Sequence, residues 1–157
     1  DAVFSTINGQ MNAGWTIERQ EINAADGATG APGDITIYKD GAIFKAIEVT
    51  ERPIDGSRVD STFSTKITLN NAAEYLFVYT NDLPRENALE RAKAYFAQGY
   101  NINFASITDL TIHILLSGDE AFRTAYNERM FELFNAQDVQ ATIKVAWNDA
   151  LTEAMQA

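Results

Sequence analysis

Residues 33–53 read GDITIYKDGAIFKAIEVTERP. Two β-branched, apolar runs flank Lys39-Asp40-Gly41, the composition of a β-hairpin. Asp34 opens the first strand and Glu48 stands near the end of the second. The turn decides whether these two acids share a face. A two-residue Asp40-Gly41 loop pairs Lys39 with Ala42, and a regular ladder from there sends Asp34 and Glu48 to opposite faces. A three-residue loop with a left-handed Gly41 pairs Tyr38 with Ala42 and gathers Asp34, Ala46, Glu48 and Thr50 on one face. The apolar pattern favours the three-residue loop. Ile35, Ile37, Ile43, Ile47 and Val49 then make a coherent core face, interrupted only by Lys45. Asp34 is expected opposite Ala46 and diagonal to Glu48.

Two carboxylates held this close repel each other, so one takes up a proton or a cation sits between them. Mg²⁺ suits the pair, because it takes oxygen ligands and is often held by one or two carboxylates plus a substrate phosphate. The plainer alternative is two solvated strand-end acids with no joint role.

Outward from the hairpin, the pattern is that of an α/β domain. Residues 2–12 form a short helix, and Gly14–Ile22 is a strand with Trp15 and Ile17 on one face. Asn23–Gly33, rich in small residues, is a loop. Apolar residues at 59, 63, 67 and 69 predict a crossover helix over Ser57–Asn71. EYLFVYT, residues 74–80, is a near-continuous apolar run of the kind found in buried central strands beside a parallel neighbour. A helix follows over 81–100, with Asp82 as N-cap, Pro84 in its first turn and Gly99 as its stop. Its apolar face is Ala88, Ala92, Tyr95 and Phe96. Asn101–Ile107 is a further strand, and helices over 109–116, 120–135 and 139–155 close the chain, with Asp138 as the last N-cap. The expected architecture is a mixed central sheet flanked by helices, a three-layer sandwich.

Composition bounds the function. The chain has 157 residues, enough for one domain with a real core. There are no cysteines and one histidine, which excludes thiolate chemistry and argues against structural zinc. The net charge is -10, and residues 1–80 carry 11 acids and 6 bases, as do residues 81–157. That is the wrong sign for coating nucleic acid with the whole surface, and any such contact must be local, metal-assisted or supplied by another segment or subunit. No apolar run spans a bilayer and no leader opens the chain, so the cytoplasm is the expected compartment. A single domain over residues 1–157 is expected, and the start at Asp1 suggests a piece of a longer protein.

Pro32-Gly33-Asp34, thirteen residues, then Glu48-Val49-Thr50 resembles the PD-(D/E)XK nuclease motif. The element order over residues 14–80 is similar to that superfamily's core, and the EVTERPID…EYLFVYT region resembles type II restriction endonucleases of the SacI-like group. The resemblance implies a Mg²⁺-dependent endonuclease that hydrolyses double-stranded DNA, commonly as a homodimer. Asp34 and Glu48 would be metal ligands, with the Val49 carbonyl as the usual additional one. Thr50 stands where the motif has lysine, and Pro-Gly-Asp is one residue longer than Pro-Asp. A threonine hydroxyl can orient an attacking water but brings no charge. Lys66 on the crossover helix would supply it, as relocated basic residues do in some relatives. Lys45 is turned to the core face, and Arg52 lies just past the strand. An upstream Glu18 or Glu21 would match an extra acid found in relatives, although each also reads as a solvated strand residue.

The remaining signals have simpler readings. DGATGAPGD lacks the Gly-Lys-Ser/Thr ending of a phosphate loop. His113 has no partner at a catalytic spacing and is a core or helix-surface residue. Phe122, Tyr126, Met130, Phe131 and Phe134 make a helical stripe, either core packing or a dimer face. Three functions compete. They are a Mg²⁺-dependent endodeoxyribonuclease, a catalytically inactive nuclease fold used for binding or dimerisation, and an acidic α/β interaction module.

Overall fold

The computed structural model describes residues 1–20, 31–135 and 139–156. In chain order, α1 (Ala2–Met11) is followed by β1 (Trp15–Arg19), β2 (Ile35–Lys39) and β3 (Ala42–Thr50). A helical crossover comes next: α2 (Gly56–Thr62), a π-helical turn (Phe63–Ile67) and α3 (Thr68–Asn70). Then come β4 (Glu74–Tyr79), α4 (Glu86–Phe96), β5 (Asn101–Ser106), α5 (Ile107–Ser117), α6 (Glu120–Asn135) and α7 (Ala141–Gln156). Most of the expected loop over 23–33, Glu21 and the Asp138 cap lie outside the described residues.

The strands form one sheet in the order β1-β2-β3-β4-β5. The hairpins β1–β2 and β2–β3 are antiparallel, while β3–β4 and β4–β5 are parallel. Each parallel pair needs a crossover, and the helical segments between them supply it. Helices cover both faces. On one face Ala46, Tyr75, Phe77 and Ile102 pack with Val59 and Ile67 of the first crossover and Ala88 and Ala92 of α4. On the other, Ile35, Ile37, Ile47, Leu76 and Val78 pack with Phe4 of α1 and Leu110 of α5. This is the expected three-layer α/β sandwich.

The hairpin reaches the expected facing of its acids by a different route. Asp40 and Gly41 have φ of 53° and 77°, and Lys39 pairs with Ala42, so the loop has two residues and not three. Two left-handed positions in succession make the mirror-image turn that suits the twist of a hairpin. A β-bulge then intervenes: Tyr38 pairs with Ile43, but Ile37 pairs with Lys45, leaving Phe44 as the extra residue. Beyond it Thr36, not Asp34, opposes Ala46, and Ile35 opposes Ile47. Continued one step, this register sets Asp34 against Glu48. The bulge also moves Ile43 to the face of Ala46 and Phe77, away from the other hairpin isoleucines. Phe44 stacks on Trp15, ring centroids 5.5 Å apart, which gives the displaced residue a partner.

The α4 boundary also differs. The helix starts at Glu86 and Asp82 does not cap it. The Arg85 N–H instead donates to the Ile54 carbonyl at 2.9 Å, which ties the preceding segment to the entry of α2. Ala88 and Ala92 are buried as expected, and Tyr95 stacks on Phe63 at 3.7 Å, but Phe96 is 65% exposed.

Candidate active site

Gly33 brings the start of β2 very close to β3. A Cβ on Gly33 would lie 2.5 Å from the Ile47 carbonyl oxygen, a contact no side chain can make. That approach lets the next residue, Asp34, reach across the strands. Its Oδ2 accepts the Val49 N–H at 2.7 Å, and its own carbonyl accepts the Gln20 N–H at 2.9 Å. The residue is therefore anchored on both sides, its carboxylate to the β3 backbone and its carbonyl to the segment after β1.

Glu48 sits on β3 beside Phe77 of β4 and is 7% exposed. A buried carboxylate costs several kcal/mol unless it is paired and hydrogen-bonded. Here it has three donors. Arg58 Nη2 donates to Oε1 at 2.7 Å, Lys66 Nζ to Oε2 at 3.0 Å, and the Tyr75 hydroxyl to Oε2 at 2.8 Å. Burial pushes the Glu48 pKa up, but the Arg58 bond, the Lys66 charge and bond, and the Tyr75 bond outweigh it and bring the pKa below its ordinary value. Burial, followed by the Glu48 charge, pushes the Tyr75 phenol far up, so it stays a donor.

The first crossover delivers both cations. Asp55 caps α2 by accepting the Arg58 N–H at 3.0 Å, which sets the first turn, and Asn87 Oδ1 accepts the Gly56 N–H at 3.0 Å. Arg58 and Lys66 are eight residues apart. In a regular α-helix, with 3.6 residues per turn, they would diverge by about 80°. The π-helical turn widens the winding, with the Thr68 N–H bonded to the Phe63 carbonyl, and helps bring Lys66 to the face that carries Arg58.

These groups line a cavity of about 300 Å³ at the carboxyl end of β3. Its acids are Asp34, Glu48 and Glu51, and its bases are Arg52, Arg58 and Lys66. Val49 and Thr50 complete the lining. Carboxyl ends of parallel strands next to a crossover are where open α/β sheets bind their ligands. The structure thus brings together Asp34, Glu48, Val49, Thr50 and Lys66 from the sequence reading. Thr50 is buried, and its Oγ1 accepts the Arg52 N–H at 3.0 Å, turning the chain as β3 ends. Lys45 lies apart, its Nζ 6.0 Å from the Phe44 ring centroid.

Sequence reasoning passed over Arg58 and Tyr75. Arg58 sits on the predicted crossover helix, but a regular helical phase separates it from Lys66. Tyr75 lies in the EYLFVYT run, where an aromatic reads as core. Glu18 is engaged elsewhere: it hydrogen-bonds Tyr38, whose pKa is raised by burial, then by the Glu18 charge and bond. His113 is exposed on α5, with Nδ1 2.7 Å from the Asp109 carbonyl oxygen. The α6 stripe is mostly packing. Phe122 is buried and Phe134 lies 4.7 Å from Trp147, while Phe131 is half exposed.

A mixed sheet sandwiched by helices, with paired acids where hairpin and crossover meet, places the chain among restriction-endonuclease-like α/β domains. The family profile of the SacI restriction endonuclease C-terminal domain matches residues 1–81, 81 of the 157 positions. The chain belongs to that family, and with it to the SacI-like type II restriction endonucleases. The match spans α1 to β4 and contains every residue of the cavity. Family membership points to a restriction-type nuclease and to DNA as its partner. No curated protein matches the chain. Among the described residues, no helix is long and apolar enough to cross a membrane.

Proposed function

We propose that the chain is a Mg²⁺-dependent endodeoxyribonuclease of the PD-(D/E)XK type, cutting phosphodiester bonds of double-stranded DNA in the cavity beside β3. The observation that carries the reading is the convergence of Asp34 and Glu48 from two strands on one cavity, held by fixed backbone and side-chain bonds. Among the described residues no three His, Cys, Asp or Glu side chains cluster to hold a metal. Two carboxylates with no third placed to join them suit Mg²⁺, which completes its shell with water and substrate phosphate, better than an ion that wants an all-protein cage. The depressed Glu48 pKa keeps this group an acceptor at neutral pH.

Asp34, Glu48 and the Val49 carbonyl would hold the ion. When bound, it would acidify a water and stabilise charge on the phosphate. The chain's own residues do the rest. Lys66 supplies the positive charge that the motif places at the position of Thr50, and its bond to Glu48 keeps it at the carboxylates. Thr50 shapes the floor and positions the Arg52 backbone. Incubating the protein with duplex DNA in Mg²⁺ and in EDTA tests this activity directly. Cleavage in Mg²⁺ alone is expected. Cleavage in EDTA, or none in either, would overturn the proposal.

A binding or dimerising role without catalysis is favoured by one observation, the saturation of Glu48 by two cations, which compete with a metal for its oxygens.

A further inference from the structure

We infer that Arg58 is a phosphodiester clamp, and that in the DNA-free protein the Glu48 carboxylate occupies the place of the DNA phosphate on its guanidinium. The inference rests on the reading that the β3 cavity receives a DNA phosphodiester, and it assigns a residue for which the family motif has no position.

Glu48 has more positive charge than one carboxylate requires. Lys66 and Tyr75 share Oε2, while among the described residues Arg58 alone holds Oε1. Opening the Arg58 bond therefore does not orphan Glu48, which keeps a cation and a neutral donor. That matters because stranding a buried charge is the costly event, whereas exchanging one anion for another on the same cation is not. Arg58 suits the exchange. A guanidinium has five N–H donors in a planar fork, matched to two oxygens of a phosphate. Among the described residues only Nη2 is used, on Glu48. The side chain is 22% exposed and lines the cavity wall, so a ligand can reach it.

The charge of the whole chain points the same way. In a protein of net charge -10, with 12 lysines and arginines, Arg52, Arg58 and Lys66 converge on this one cavity. Their charge is offset by Asp34, Glu48 and Glu51, so the cavity is balanced when empty. A phosphodiester entering it displaces Glu48 from Arg58 and takes one or two N–H bonds in its place. Glu48 stays with Lys66 and Tyr75. No bond in the DNA is broken by this step, and it needs no metal.

The test is the binding of a short fluorescent DNA duplex in EDTA, followed by anisotropy at several salt concentrations. Glu48→Gln removes the competing charge and frees the guanidinium, so it is expected to tighten metal-free binding about tenfold. Arg58→Ala is expected to weaken binding about tenfold and to reduce the salt slope by about 0.9, one phosphate contact. Arg58→Lys keeps the charge without the fork and should fall between Arg58→Ala and the unaltered protein. It serves as the reading if Arg58→Ala does not fold. Lys39→Ala, on the exposed hairpin turn, is the charge-matched control and should change binding less than about twofold. The gain from Glu48→Gln must disappear in the double variant with Arg58→Ala. A gain that survives in the double variant, or an Arg58→Lys protein that binds like the unaltered one, would overturn the clamp. Cleavage in Mg²⁺ is scored separately. A clamp without cleavage would leave Arg58 standing and sink the nuclease reading, whereas cleavage with binding indifferent to Arg58 would do the reverse.

Discussion

At Gly33 the backbones of two strands nearly touch, and the placement of Asp34 depends on that contact. The atoms a Cβ would meet are the Ile47 carbonyl oxygen at 2.5 Å and the Ile47 C and N at 3.0 Å, all backbone. Backbone cannot swing aside as the end of a long side chain can. Gly33→Ala is therefore expected to push the start of β2 away from β3 and destabilise the protein by about 1–3 kcal/mol. It should also slow DNA cleavage at temperatures where the variant is still folded. Thermal unfolding and initial rates measured side by side check this, and a destabilised variant with an unaltered rate would contradict it. Asp34 and Glu48 were legible because two acids in an apolar hairpin are conspicuous. Arg58 and Tyr75 were not, because their roles depend on which tertiary neighbour they meet. Tyr75 reaches Glu48 only once β3 and β4 pair in parallel, with Ala46 beside Tyr75.

Among the elements, the crossover from β3 to β4 carries two of the site's three bases, and its first turn depends on a cap. The Asp55 side chain accepts the Arg58 N–H, satisfying a donor that a helix start leaves open. Asp55→Ala is expected to cost about 1 kcal/mol of stability. Because the capped residue is Arg58 itself, the change should also weaken DNA binding, though less than Arg58→Ala does. Denaturant unfolding and anisotropy on the same samples would check both parts. Binding lost as fully as in Arg58→Ala would contradict it, because the cap acts on Arg58 only through the helix. The element order was legible from periodicity and turn residues, and α6 falls on the predicted 120–135. Two features were hidden for physical reasons. The π-helical turn at Phe63–Ile67 breaks the period on which helix reading relies, and the β-bulge at Phe44 breaks the alternation on which strand reading relies. The facing of the hairpin acids was correctly expected, but from a three-residue turn. The protein instead uses a two-residue turn followed by the bulge.

For the molecule as a whole, the acidic balance and the buried Glu48 link stability to pH. The folded-state pKa of Glu48 lies below its ordinary value, since Arg58, Lys66 and Tyr75 outweigh its burial. A depressed carboxyl contributes stability that is present above its unfolded pKa, about 4.3, and is lost as pH falls through the folded value. Stability should therefore fall on acidification from about pH 4 downward. Tyr75→Phe removes one of the bonds that depress Glu48, so its acid-induced loss should be smaller and should level off at a higher pH. Thermal midpoints measured across an acid series for both proteins check this, and acid limbs that coincide would contradict it. With a net charge of -10, the cavity where Arg52, Arg58 and Lys66 gather is where all the proposed roles meet. The most direct measurement is the rate of Mg²⁺-dependent duplex cleavage by Asp34→Ala and Glu48→Ala, each confirmed as folded, against Lys39→Ala. The account predicts a loss of at least about 10²-fold in both site variants and little change in the control. Cleavage that survives in both Asp34→Ala and Glu48→Ala would contradict it.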